Sequence, residues 1–215
     1  MRKEYRKQSK QAKLFKEDIW SIISSIELVA NKNTKVLLVT SPGVGEGKSI
    51  ISYNLAVNFS EQGKKTLLID ANMRKPEIHK IMKVKQLCGL STILLKRLSE
   101  VEDIIFTSKD IPTLDVLFAG MNLSNPRYLL SSNWLKVIMQ SFREKYEYII
   151  IDTPSICIVS DTLELSRYAD ASLLVVKSNK TKNKDAEQAI VQLNKTGIPL
   201  LGVVLNSYKK KKISY

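Results

Sequence analysis

The sequence predicts an α/β fold, a doubly wound and mostly parallel sheet with helices on both faces. Six short apolar runs recur along 215 residues with helical patterns between them. The runs are continuously rich in Val, Ile and Leu instead of alternating with polar residues, as strands covered on both sides require. The length suits one domain with a substantial core.

In chain order, a helical extension at about 14–30 leads into the strand KVLLVT at 35–40. A helix at 48–61 follows, then KTLLID at 65–70 and a short helix near 77–83. LDVLFAG at 114–120 is the third strand, a long helix is expected over 125–145, and YEYIIID at 146–152 is the fourth. A short helix near 161–168, ASLLVVKS at 171–178, a helix at 181–196 and PLLGVVLN at 199–206 complete the alternation. Neither a repeat nor a linker interrupts it, so the division is a basic tail at 1–16, one domain at 17–206 and a second basic tail at 207–215. In such sheets ligands bind at the carboxyl ends of the strands.

Composition narrows the classes. No apolar run approaches the roughly 18 residues of a membrane span, and no apolar signal core follows the N-terminal charges. Cys88 and Cys157 lack metal-ligand spacing, which fits a reducing cytoplasm. Ten of the 13 net positive charges sit at the ends: seven basic side chains against Glu4 in residues 1–16, and Lys209 to Lys212. Basic tails on a nearly balanced body suit an anionic membrane surface or an acidic partner, whereas nucleic-acid binding would call for a basic face with interleaved aromatics. The expectation is a cytoplasmic protein, peripheral at the inner face of the plasma membrane, that binds no nucleic acid.

The first strand runs directly into SPGVGEGKSI and then a helix. Gly43, Gly45 and Gly47 let backbone N–H groups turn inward on a phosphate chain, Lys48 can reach the β and γ phosphates, and Ser49 can ligate Mg²⁺. Pro42 stands where the strict pattern has glycine. Asp70 and Asp152 each close a strand at the same edge, where an aspartate can hold Mg²⁺ or its water shell or act as a base. Asn206 closes the last strand and could read an adenine through its amide. His79 and Cys157 read as packing or surface residues, and Trp20 and Ile23 as packing contacts.

These segments together resemble the bacterial tyrosine kinases of capsular and exopolysaccharide biosynthesis, in the form of the cytoplasmic member of the Gram-positive two-chain arrangement. TSPGVGEGKS matches the Walker A motif, LLIDANMRKP the second Walker motif peculiar to that group and YIIIDTPS the Walker B motif. GLSTIL, LFAGMNLSNPRYLLSS, LLVVKSNKT and LLGVVLN extend the likeness over about residues 17–206. The resemblance implies a P-loop NTPase fold and MgATP, with nucleotide bound by Gly43, Gly45, Glu46, Gly47, Lys48, Ser49, Ile50 and Asn206. It further implies Ser49, Asp70 and Asp152 around Mg²⁺, and Lys48, Asp70 and Asp152 as catalytic, with Asp70 taking the tyrosine proton. The phosphoacceptors would be the tail residues Tyr215 and Tyr208, and a transmembrane polysaccharide co-polymerase chain would be the activator.

Four positions depart from that pattern. Asn72 replaces a second acid, so Asn72→Asp is expected to raise phosphotransfer. Ile50 replaces a threonine that would meet the α-phosphate. Trp20 and Ile23 stand where the assembly motif E-x-x-R-x-x-R has arginines, which implies a weak homo-oligomer. The tail holds two tyrosines in place of a cluster. Two other readings follow: a degenerate ATP-binding regulator of the same system, and a MinD or ParA type positioning ATPase, whose signature lysine would fall at Gly43.

Overall fold

The computed structural model describes residues 2–31, 33–85, 88–98 and 100–208, with side chains from Lys16 onward. Its strands are β1 (Val36–Thr40), β2 (Thr66–Asp70), β3 (Phe106–Thr107), β4 (Leu114–Leu117), β5 (Tyr148–Asp152), β6 (Ala171–Lys177) and β7 (Leu200–Asn206). They form one sheet in the order β3-β4-β2-β5-β1-β6-β7. Every pairing is parallel except β3 with β4 at one edge. The helices are α1 (Arg2–Val29), α2 (Lys48–Glu61), α3 (Ile78–Ile81), α4 (Leu90–Lys96), α5 (Arg127–Leu130), α6 (Asn133–Lys145), α7 (Asp161–Ser166) and α8 (Asn183–Asn194). Among the described residues no helix is long and apolar enough to cross a membrane.

The continuous apolar runs are explained by two cores, one on each face of the sheet. Leu37 and Val39 of β1 pack with Ile19, Ile23 and Ile26 of α1 and with Ile51, Leu55 and Phe59 of α2. Their neighbours Val36 and Leu38 face the other way, onto Leu135, Ile138 and Phe142 of α6, Leu165 of α7 and Leu193 of α8. Because side chains alternate along a strand, only a run apolar at every position can serve both faces. Each fully buried aliphatic or aromatic side chain contributes about 1.5–3 kcal/mol.

The structure corrects several boundaries. The helix expected over 125–145 is two, α5 and α6, because Ser132 takes an extended backbone and its hydroxyl accepts a hydrogen bond from the Leu135 N–H, capping α6. β3 has two residues, too few to leave a periodic signal, and α4 was foreseen only as the GLSTIL motif. The helix expected from about residue 14 begins at Arg2, through a segment rich in Lys, Arg and Gln and free of Gly and Pro. Ile23 is buried, as a packing residue should be, but Trp20 is 43% exposed on the outer face of α1. Tyr208 is exposed just past β7, while Lys209 to Lys212 and Tyr215 lie outside the described residues.

Candidate active site

β1 lies between β5 and β6 in the sheet, so the loop leaving its carboxyl end, residues 41–47, is flanked by the ends of both neighbours. That edge is where an open α/β sheet holds its ligand. Gly45 and Gly47 adopt φ of +73° and +92°, turning the backbone into a cradle that leads into α2. A Cβ on Gly47 would stand 1.9 Å from Asn206 Nδ2, so this position excludes a side chain for space as well as for conformation.

Three of the residues expected in the site converge. Ser49 Oγ donates to Asp152 Oδ2 at 2.6 Å, Lys48 Nζ lies 3.0 Å from Ser49 Oγ, and the same Nζ is 4.0 Å from Asp152 Oδ1. Lys48, Ser49 and Asp152 are all buried. Ser52, one turn further along α2, also donates to Asp152 Oδ1 at 3.1 Å. It was not foreseen, although its place four residues after Lys48 puts it on the same helix face. Burial pushes the Asp152 carboxyl above its ordinary range, against the opposing pull of Lys48 and the two serine hydroxyls.

Asp70 ends the next strand in register with Asp152. Its Oδ2 accepts from the backbone N–H groups of Glu77 and Ile78, each at 3.2 Å, and its Oδ1 from that of Asn72, also at 3.2 Å. Burial, and then the charge of Asp152, push its pKa up to about 7, more than these donors and Lys48 pull it down. The Asn72 amide is committed to its own turn: Nδ2 donates to the Lys75 carbonyl at 2.9 Å and Oδ1 accepts from the Lys75 N–H. A carboxylate there would place an anionic oxygen on that carbonyl. Asn72→Asp would therefore keep the acceptor for the Lys75 N–H and lose the donor to the Lys75 carbonyl.

Two other nucleotide-set residues brace the loop. Glu46, only 3% exposed, accepts from the Gly43 N–H at 2.9 Å through Oε2 and from the Thr181 hydroxyl through Oε1. Asn206 Nδ2 donates to the Glu46 carbonyl at 2.8 Å, and its Oδ1 accepts from the Ser207 N–H. The amide expected to read a base is hydrogen-bonded to the phosphate loop. Lys180 Nζ donates to the Val44 carbonyl and lies close over Gly45. Lys180 and Thr181 enter the sequence reading only as the end of the LLVVKSNKT segment, with no role given to either. Ile50 is exposed on the first turn of α2, where it has no hydroxyl to offer a phosphate. Opposite the loop, Arg74 grips Asp161 through Nε at 2.7 Å and Nη2 at 3.1 Å.

The donor set fits a magnesium nucleotide. A glycine cradle at a helix N-terminus, a buried lysine and a serine hydroxyl paired with a carboxylate suit a phosphate chain and a hard, oxygen-seeking cation. Beside them lies a cavity of about 160 Å³ lined by Gly45, Lys48, Asn72, Arg74, Glu77 and Ser155, among others.

A family model described as an AAA domain matches residues 34–196. The tyrosine-protein kinase YwqD of Bacillus subtilis (strain 168) is 39% identical over 199 residues, which cover 92% of this chain and 83% of that protein. The crystal structure of the chimerical protein CapA2B2 superposes with a TM-score of 0.84 at 34% identity, covering 89% of this chain and 84% of that one. A VpsO kinase domain gives 0.82 at 33% identity, over 94% and 98% of the two chains. The septum site-determining protein MinD of Pyrococcus horikoshii, at 21% identity and a TM-score of 0.68 over 83% and 72%, shares the fold alone. A P-loop site on a doubly wound sheet, and this likeness to kinases along most of the chain, lead to one conclusion: the chain belongs to the bacterial tyrosine kinases and is a protein-tyrosine kinase.

Proposed function

We propose that this chain is the cytoplasmic, membrane-peripheral member of a two-chain kinase serving capsular or exopolysaccharide synthesis. It transfers the γ-phosphoryl group of ATP to tyrosines of its own C-terminal tail, Tyr215 before Tyr208, in a neighbouring copy, and a transmembrane co-polymerase chain activates it. The observation that carries the nucleotide chemistry is the convergence of Lys48, Ser49 and Asp152 behind the glycine cradle. Lys48 would neutralise the β and γ phosphates, and Ser49 with Asp152 and Asp70 would hold Mg²⁺ directly or through its water shell. Mg²⁺, when bound, supplies positive charge to the phosphate oxygens as negative charge redistributes during transfer. Asp70, with its pKa raised toward neutrality, would accept the phenolic proton as the tyrosine oxygen bonds to phosphorus. The Gly45 and Gly47 backbone and the Glu46 brace would keep the cradle formed before substrate arrives.

The second reading, a regulator that holds ATP but transfers phosphate poorly, is favoured by one observation: the Asn72 amide is spent on the Lys75 backbone and brings no charge to the site. One experiment separates the two. The full chain is incubated with MgATP, with and without the cytoplasmic segment of the candidate activator, and phosphotyrosine is mapped by mass spectrometry. Phosphate on Tyr215 in wild type, absent in Lys48→Met and Asp152→Ala, supports the kinase reading. Nucleotide binding without phosphotyrosine, even with the activator, supports the regulator.

A further inference from the structure

We infer that the cleft beside the phosphate cavity is an acceptor-docking site for acidic segments flanking a target tyrosine. The inference rests on the kinase reading and names its acceptor class. Arg74 and Lys75 line the 160 Å³ phosphate cavity and also a second cleft of about 250 Å³, whose other walls include Pro76, His79, Lys80 and Asn122. The two spaces thus share Arg74 and Lys75 as walls, which sets the second cleft beside a tyrosine that enters the first.

The charge of that second cleft is one-sided. Residues 74–85 carry Arg74, Lys75, Lys80, Lys83 and Lys85 against a single acid, Glu77. Arg74 is neutralised by buried Asp161 and bound to the Ser124 carbonyl, so it serves as a wall. Lys75 and Lys80 are exposed, and neither forms an ion pair among the described residues. Two uncompensated ammonium groups beside the entry to a phosphate site attract carboxylates and repel lysines. The tail of this chain places Lys209 to Lys212 three to six residues before Tyr215, so it mismatches the cleft. Tethering within an assembly can offset that mismatch for the tail by raising its effective concentration, whereas an untethered acceptor has only its own charge. The preferred untethered substrate is therefore a tyrosine in an acidic segment of another protein.

The test uses the full chain and two synthetic peptides with one central tyrosine, flanked on both sides by three glutamates or by three lysines. Initial rates with MgATP give kcat and KM, and fluorescence anisotropy of versions with phenylalanine for tyrosine gives binding independent of turnover. Two exposed ion pairs predict a preference for the glutamate peptide of about three- to thirty-fold, carried by KM and by binding and shrinking as salt is raised. In Lys75→Glu/Lys80→Glu the order of the two peptides reverses, an outcome that general loss of structure cannot produce. Phosphorylation of both peptides at equal rates with equal binding, or no reversal in the double variant, overturns the cleft assignment and leaves the kinase reading standing. A retained binding preference with no phosphate transfer to either peptide or to the tail tyrosines, with or without the activator segment, supports the cleft and overturns the kinase reading.

Discussion

Glu46 places a carboxylate inside a loop whose task is to receive phosphates, and the surrounding bonds explain how this is tolerated. Its two oxygens accept from the Gly43 N–H and the Thr181 hydroxyl, so they tie the start of the phosphate loop to the segment after β6. Loss of a buried, charge-assisted hydrogen bond costs about 1.5–3 kcal/mol, which here would be spent re-forming the cradle at each binding event. Glu46→Ala is therefore expected to raise the KM for MgATP by about ten- to a hundred-fold with a much smaller change in kcat. Thr181→Val in that background should add little, and an additive double mutant would refute the shared brace. The glycine spacing of the loop was readable from the sequence because it reflects local backbone geometry. The engagement of Asn206 and Thr181 on that loop was not, since 160 and 135 residues separate them from Glu46.

The strands and the loops after them were legible because burial on both faces leaves a continuous apolar run. Helix α1 shows where that legibility ended. Its sequence displays Trp20 and Ile23 at two positions of an assembly motif, as if they were equivalent, but the helix turns Ile23 into the core and Trp20 outward. Restoring arginine at both positions would therefore have opposite results. Ile23→Arg buries a guanidinium among Ile19, Ile26 and the α2 side chains at a cost of about 3 kcal/mol or more, lowering Tm by roughly 6–12 °C. Trp20→Arg should leave Tm within about 2 °C, and equal effects in a thermal scan would place both residues on one face. At the opposite edge of the sheet, Asp170 joins three elements. Its carboxylate accepts from the Lys35 and Val36 N–H groups and from Arg143 of α6. Burial alone would raise its pKa, yet Arg143 and those N–H groups outweigh burial and hold it below the ordinary value. A depressed pKa in the folded state stabilises above the unfolded value of about 3.9 and is lost as pH falls. Asp170→Asn should thus lower Tm at pH 7, with the gap to wild type closing below about pH 4.

Over the whole molecule, charge is distributed by region rather than spread evenly. Ten of the 13 net positive charges lie in residues 1–16 and 209–212, outside the part of the chain that builds the sheet. Tyr208, exposed two residues past β7, precedes the lysine run in the sequence, and β7 ends at the same sheet edge as the phosphate loop. A surface that attracted the lysine run would therefore hold the catalytic edge close to itself. Each lysine near an anionic bilayer contributes about 1 kcal/mol within a Debye length. Full chain should co-sediment with vesicles containing about 30% phosphatidylglycerol at low ionic strength and be released near 0.5 M salt, where the Debye length falls to roughly 4 Å. Replacing Lys209 to Lys212 by glutamine should weaken that binding by up to about a thousand-fold at full engagement, with the Tm of the domain unchanged. A phosphate on Tyr215 would add about −1.5 to −2 charges beside those lysines and act in the same direction. Binding that survives both high salt and the glutamine replacement would show that an apolar contact, and not the basic tail, holds this kinase at a membrane.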